Sequence, residues 1–225
     1  MGTNSKLAPK QTRSRETLRR LLQAAADVLE EKGVEGATIP AIAARAGVTP
    51  GAVYRRFRDK DALLRTLLLN SLAQSDQRTA EMLTPELAAK YSFAQLAVKV
   101  IETTLNAYRK RVRLLRAFTQ FARSHPSASF RRQVDEIEIR NIRRIADFFL
   151  LKRKEIDHTH PELAIPFALV QLGVTLREMV LLDVLSESWS PLLPKNDEEL
   201  RQELTRAFLN YLGYLPERTP GTGSS

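Results

Sequence analysis

One short stretch constrains this chain more than any other, the run TIPAIAARAGVTPGAVYRRFRDKDALL at residues 38–64. Its first part has apolar residues at helical spacing, and Gly47 follows as a helix-ending residue. Thr49 then precedes Pro50, which is the favoured order for a helix N-cap and first turn. Two short helices joined by a tight glycine turn are the layout of a helix-turn-helix. The apolar positions are Ile39, Ile42, Ala43 and Ala46.

The rest of the chain also has a helical pattern, and the sequence shows no strand signal or internal repeat. Apolar residues recur three and four positions apart, and prolines at 85, 126, 161, 191 and 194 fall between the periodic segments. Asp59 is predicted to cap the helix that follows the helix-turn-helix. The pattern predicts an all-α fold of about nine helices.

Composition narrows the possible classes of protein. Cysteine is absent, which excludes a disulfide framework, a thiolate zinc site and a cysteine nucleophile. The N-terminus lacks the apolar core of a signal peptide, and the apolar stretch 164–185 is interrupted by polar residues. A cytoplasmic protein is therefore expected. The net charge is +9, and the first 65 residues hold 13 Lys and Arg against 7 Asp and Glu, which favours a polyanionic partner there.

The exposed face of the second short helix has the side chains expected of a DNA reader. Val53 and Phe57, four residues apart, are predicted to face the core. Gly51 permits close approach of the backbone to a phosphate, and Tyr54 offers a hydroxyl to a phosphate oxygen. Arg55 is the best candidate for a bidentate contact with guanine. The full set of candidate DNA-binding residues is Thr38, Thr49, Pro50, Gly51, Ala52, Tyr54, Arg55, Arg56 and Lys60.

These residues resemble the DNA-binding domain of the TetR family of bacterial repressors. The matching features are Thr38, the turn at residues 46–49, the Gly51, Tyr54 and Phe57 positions, and the Lys-Asp-Ala-Leu-Leu start of the next helix at residues 60–64. With the first helix, the match covers about a fifth of the chain. The departures are Pro50, where the family often has Lys, and residues 55–56, Arg-Arg, where it often has His-Tyr.

The resemblance implies a division of the chain into domains. Residues 1–13 would be a flexible basic arm, 14–66 the helix-turn-helix domain, 67–215 an effector-binding and dimerisation domain, and 216–225 a disordered tail. It also implies that the last two helices pair across a twofold axis, and that a small molecule bound among the middle helices shifts the spacing of the two recognition helices and releases DNA.

Several residues of the second domain are candidates for contact with that small molecule, although each aromatic one alone is more often plain core. They are Phe93, Tyr108, Phe118, Phe121, Phe148, Phe149, Phe167 and Arg177. Glu178 and Asp183 would contact a ligand, a partner subunit or solvent. The basic residues Arg109, Lys110, Arg111, Arg113 and Arg116 would bind an anionic effector or form a solvated helix face. The pair His158 and His160 lacks a third ligand nearby, so we expect no metal and no cofactor.

The leading hypothesis is a homodimeric, sequence-specific transcriptional repressor that leaves a palindromic operator when a small molecule binds. An enzyme is not expected, because the chain has no nucleophile elbow, P-loop, HExxH or dinucleotide-binding glycine pattern. The alternative is a helical protein that binds DNA non-specifically, or that binds anions or an anionic membrane surface.

Overall fold

The computed structural model describes residues 7–182 and 187–215, and within them the fold is all-α, as predicted. The only β pairing in these residues is an isolated antiparallel bridge between Ile156 and Tyr214. The helices are α1 (Leu7–Gly36), α2 (Ile39–Ala46), α3 (Pro50–Tyr54), α4 (Lys60–Met82), α5 (Pro85–Lys90), α6 (Phe93–Lys110), α7 (Val112–Ser124), α8 (Ala128–Leu150), α9 (Pro161–Leu176) and α10 (Asp197–Tyr211).

The described residues hold ten α-helices, one more than the predicted nine. The addition is α5, which begins at Pro85, where the sequence indicated only a break. The Thr84 hydroxyl accepts a hydrogen bond from the Leu87 N–H at 3.3 Å, so a threonine cap and a first-turn proline start a helix here. Short 3-10 turns cover Arg153–Glu155 and Glu187–Leu192, and a π-helical turn, Arg177–Leu182, follows α9.

The ends of the chain differ from the predicted arm and tail as far as they are described. Residues 7–13, which the sequence assigned to the flexible arm, belong to α1. Pro9 lies in the first turn, where a missing N–H interrupts no intrahelical bond. Residues 1–6, Asp183 and the predicted tail 216–225 lie outside the described residues.

The described chain forms two compact units, and the first holds the helix-turn-helix. This unit comprises the residues up to Ala73 together with Arg111–Val134. Its core joins buried side chains of α1 to α4 with Leu114, Ala117 and Phe118 of α7. On α1, Glu30 accepts a hydrogen bond from the Leu114 N–H at 2.8 Å, which satisfies one free donor at the start of α7. Helix α7 thus packs with the helix-turn-helix, although the sequence placed it in the second domain.

The second unit comprises Gln74–Lys110 and the residues from Asp135 onward. An aromatic cluster lies at its centre, where the Phe93 ring is 5.0 Å from Phe149 and 6.2 Å from Phe208. These three rings come from α6, α8 and α10. Burial of large apolar rings is the main contribution that such a cluster makes to stability.

A buried carboxylate joins two helices of the second unit. Asp76 of α4 is only 8% exposed, and its two oxygens meet the Nε atoms of Arg140 at 2.9 Å and Arg144 at 3.4 Å. Burial by itself would raise the pKa of the Asp76 carboxyl, but the two guanidiniums outweigh it and hold the pKa below its usual value. The ionised carboxylate therefore stabilises the folded protein.

We expect Asp76→Asn to lower the free energy of unfolding at pH 7 by about 1.5 kcal/mol, and the Tm by roughly 5 °C. Because the folded-state pKa is depressed, the contribution is present above the usual aspartate pKa and is lost as the pH falls. Thermal unfolding of variant and parent should therefore converge below about pH 4. The control is Glu136→Gln, which changes an exposed carboxylate on α8. A Tm difference that persists unchanged at low pH contradicts this account.

Candidate functional site

The helix-turn-helix is built from two threonine caps and one glycine. The Thr38 hydroxyl accepts a hydrogen bond from the Ala41 N–H at 3.3 Å, and the Thr49 hydroxyl accepts one from Ala52 at 3.2 Å. Between them, Gly47 ends α2 in the left-handed conformation, with φ 66° and ψ 38°. A side chain is disfavoured in that conformation, so glycine at this position fixes the sharp turn between α2 and α3.

Helix α3 buries one side and exposes the other, as the four-residue spacing predicted. Val53 is fully buried and Phe57, just after the helix, is nearly so. Seven of the nine candidate DNA-binding residues are exposed, whereas Ala52 and Lys60 are partly buried. The exposed ones are Thr38, Thr49, Pro50, Gly51, Tyr54, Arg55 and Arg56, and the Tyr54 side chain keeps 55% of its surface.

The two adjacent arginines differ in their surroundings. The Arg56 guanidinium donates from Nη2 to both the carbonyl and the hydroxyl of Ser14 on α1, each at 2.8 Å. Arg55 is exposed, and its side chain makes no hydrogen bond or ion pair with another described residue. Arg55 therefore presents all its donors to solvent, and Arg56 links the end of α3 to α1.

The start of α4 carries Lys60, one of the predicted DNA-binding residues, and its Asp59 cap forms as expected. The Asp59 carboxylate accepts a hydrogen bond from the Ala62 N–H at 2.8 Å, and this bond is the main cause of its lowered pKa. Lys60 is oriented differently from the prediction, because its Nζ donates to the Val34 carbonyl at 2.5 Å. An ammonium has three N–H donors, so phosphate contact by Lys60 stays a prediction.

The aromatic candidate effector residues are divided between the two units. Phe93, Phe148 and Phe149 are buried in the core of the second unit, while Phe118 and Phe121 pack in the first. Phe167 is 49% exposed on α9, against the Tyr211 ring at 5.8 Å. These aromatic residues therefore act mainly as core, with Phe167 on the surface.

Two candidates, Tyr108 and Arg177, do come together electrostatically, along with Glu138, which the sequence did not single out. Burial raises the pKa of the Tyr108 hydroxyl and of the Glu138 carboxyl, and the Arg177 guanidinium opposes both shifts. None of the three side chains has a hydrogen-bond partner among the described residues. One turn further along α8, the buried Oδ1 of Asn141 also lacks one. Partly buried polar groups without partners are suited to receive a polar ligand or water.

The basic residues that end α6 and begin α7 are not one anion site. Arg109 is bound by Asp197 of α10, with Nη2 to Oδ1 at 2.6 Å, and Arg111 pairs with Asp27 of α1 at 3.3 Å. The two arginines also belong to different units. Beside Arg109 lies a small cavity of about 150 Å³, which also contacts Met179, Leu193, Pro194, Lys195, Asn196 and Leu200. In the described part of the chain no group of three acidic, histidine or cysteine side chains is placed to hold a metal ion.

Comparison with known proteins relates the helix-turn-helix to one family. The model of the family described as bacterial regulatory proteins, tetR family, matches residues 21–67. The chain is 36% identical over 90 residues to the uncharacterized HTH-type transcriptional regulator TtgW of Pseudomonas putida, covering 40% of this chain and 63% of that one. It is 36% identical over 88 residues to SrpR of the same species, covering 39% of each. The match thus spans less than two thirds of the length of these curated relatives.

Solved structures resemble the whole fold. One is a regulator from Mesorhizobium loti assigned to the TetR family, with a TM-score of 0.64 and 23% identity over 89% of this chain and 98% of that one. Another is FadR of Bacillus subtilis in complex with stearoyl-CoA, with a TM-score of 0.62 and 20% identity over 86% and 98%. At these identities the likeness shows the fold alone. Both curated relatives are named as HTH-type transcriptional regulators.

For the cluster of Tyr108, Glu138 and Arg177, we expect Glu138→Gln to raise the Tm at pH 7. The folded-state pKa of Glu138 is raised, so its ionised form is disfavoured in the folded protein. Stability linked to this group is present below the usual glutamate pKa and is lost as the pH rises through the folded-state value. The gain should therefore shrink towards pH 4, the opposite sign to Asp76→Asn, with Glu136→Gln again the control. A lower Tm at pH 7 would show that Arg177 stabilises the carboxylate more than burial opposes it.

Proposed function

We propose that this chain, whose residues 21–67 match the model of the tetR family of bacterial regulatory proteins, is a homodimeric transcriptional repressor released from a palindromic operator by a small molecule. The observation that carries the proposal is the exposed face of α3, where Arg55, beside exposed Tyr54, makes no hydrogen bond or ion pair with another described residue. A guanidinium in that position can contact guanine bidentately, and the neighbouring hydroxyls and backbone can contact phosphates.

A single α3 offers few contacts, so affinity and specificity require two copies. Helix α3 has five residues, of which only Pro50, Gly51 and Tyr54 are exposed. Two copies related by a twofold axis would read half-sites about one helical turn of DNA apart. This arrangement makes the operator palindromic, since the same residues contact both halves.

Helix α9 supplies a surface for that dimer. Its inward face is buried, with Ile165 and Leu176 fully so. Its other face carries an exposed apolar stripe at helical spacing, 43–70% exposed, made of Leu163, Phe167, Val170 and Val174. Tyr211 of α10 extends the stripe through its contact with Phe167. Because isolated monomers rarely expose a continuous apolar surface of this kind, we assign it to pairing with a second copy through α9 and α10.

The membrane alternative draws on the same helix. Pro161–Leu181 is long and apolar enough to cross a bilayer by length and composition, and 39% of it is buried inside the protein. The stripe accounts for much of its apolar character, and a dimer covers the stripe without a membrane. We therefore propose a cytoplasmic protein that does not act at a membrane.

The effector is the least defined part of the proposal. The unpartnered polar cluster of Tyr108, Glu138 and Arg177 supports a ligand site in the second unit, with Arg177 available to an acceptor on the ligand. FadR, which shares the fold, was solved with stearoyl-CoA bound, so this architecture accommodates a ligand. Binding of the effector to this protein would relieve repression of transcription if the operator overlaps a promoter.

Selection of bound duplexes from random DNA, at near-physiological salt, tests the proposal. We expect a palindrome to be enriched. Arg55→Ala should relax one position in each half-site at a loss of about 1–3 kcal/mol, because the bidentate contact is removed. Arg58→Ala is the matched control, since Arg58 is an exposed neighbouring cation paired with Asp59. Arg58→Ala should weaken binding by about the same amount for all sequences, and by less than Arg55→Ala does.

Two outcomes of the selection would contradict the proposal. Salt-sensitive binding with no enriched sequence would make the protein a non-specific binder. A palindrome that Arg55→Ala leaves unchanged would keep the regulator but remove Arg55 as the base contact.

We expect Phe167→Glu to dissociate the dimer, raising its dissociation constant roughly hundredfold, because the twofold axis brings a charge from each copy into an apolar interface. Sedimentation velocity across a concentration series measures the change. Leu151→Glu is the control, since Leu151 is 60% exposed and lies outside the stripe. If Leu151→Glu dissociates the dimer and Phe167→Glu does not, the interface lies elsewhere.

A further inference from the structure

A buried histidine joins the α7–α8 turn to the helix that follows the recognition helix. His125 is 6% exposed and lies between the rings of Phe121 at 5.1 Å and Phe130 at 4.6 Å. Its Nε2 is 2.9 Å from Oδ1 of Asp61, in the first turn of α4. The two residues are 64 positions apart in the chain, so nothing in local sequence links them.

The hydrogen bonds of His125 define which nitrogen carries its proton. The Ser127 N–H lies 3.1 Å from Nδ1 and can only donate, so Nδ1 accepts. The proton is therefore on Nε2, which donates to the Asp61 carboxylate. Both ring nitrogens are satisfied, and the turn around Ser127 fixes the direction of the bond to α4.

The first turn of α4 is held on two sides. Lys60 bonds to the Val34 carbonyl at the end of α1, and Asp61 bonds to His125 and forms an ion pair with Arg65 at 2.9 Å. The same turn begins with Lys60, whose contact with a DNA phosphate is predicted, at a helix N-terminus that favours anions. Asp61 is 45% exposed and Arg65 39%, so the buried His125 is the most rigidly placed partner of this turn.

We propose that His125 is a positioning residue for DNA binding, which acts through its hydrogen bond to Asp61 to fix the first turn of α4 against the DNA backbone. The inference rests on the proposed function, since it specifies how that site is held. His125 touches no DNA. Because it lies at the junction of α7 and α8, it makes the phosphate contact of α4 depend on the placement of that junction.

Two substitutions separate the bonds of His125. In His125→Asn the side-chain oxygen can replace Nδ1 as acceptor for Ser127, but the bond to Asp61 is lost. In His125→Gln the longer amide can replace Nε2 as donor to Asp61. We expect the Asn variant to bind a mixed-sequence duplex of about 30 base pairs some tenfold more weakly, with a salt slope smaller by about one phosphate contact. The Gln variant should stay within about twofold of the parent.

Amide hydrogen exchange in the free full-length protein gives a readout that does not need DNA. The Ala62 and Leu63 N–H groups, which bond to Asp59, should exchange about tenfold faster in His125→Asn and near the parent rate in His125→Gln. Adding His125→Asn to Asp61→Ala should bring no further loss of affinity, because both remove the same bond.

The outcomes separate this inference from the proposed function. If the parent binds no duplex, the proposed function fails and this inference falls with it. If the parent binds and His125→Asn lowers only the Tm, leaving affinity, salt slope and exchange at Ala62 and Leu63 unchanged, then His125 is merely structural and the inference alone is overturned.

Discussion

The burial of Val53 and Phe57 is the interaction on which the site depends. Helix α3 has five residues, too few to form a stable helix in water, because nucleation alone requires most of that length. Val53 of α3 and Phe57, just after it, are packed in the core formed by α1, α2, α4 and α7, so tertiary packing supplies the order that the helix lacks. The burial of Val53 and Phe57 therefore sets the orientation of every exposed residue of α3. The face proposed to read DNA is thus the reverse side of a hydrophobic core.

Much of this architecture could be predicted because its signals are local. The caps at Thr38, Thr49 and Asp59 and the left-handed Gly47 each act within four residues, and such signals are readable in the sequence. The same local rules also account for α5, which begins with a threonine cap and a proline, although the proline alone indicates a break between helices. Helix α5 is only six residues long, which is too short for a repeat of apolar residues to indicate it.

The parts that could not be predicted are contacts between residues distant in sequence. In the sequence, Arg56 and Lys60 look like free surface cations. In the structure, Arg56 bonds to Ser14, 42 positions away, and Lys60 bonds to the Val34 carbonyl, 26 positions away. No local signal in the sequence marks His125, whose ring meets Asp61, 64 positions away. An apolar pattern shows which face of a helix is buried but not which helix covers it.

The exposed apolar stripe of α9 needs a covering surface. The charged residues of the neighbouring helix α10 favour a protein rather than a lipid as that surface. Helix α10 packs against α9 and carries Glu198, Arg201 and Arg206, which pair with charges on the same helix. A bilayer around α9 would also have to accept those ion pairs, at a cost of several kcal/mol for each charge. A second copy would cover only the stripe from Leu163 to Val174 and leave the charges in water. Pairing with a second copy would therefore cover the apolar surface at the lower electrostatic cost.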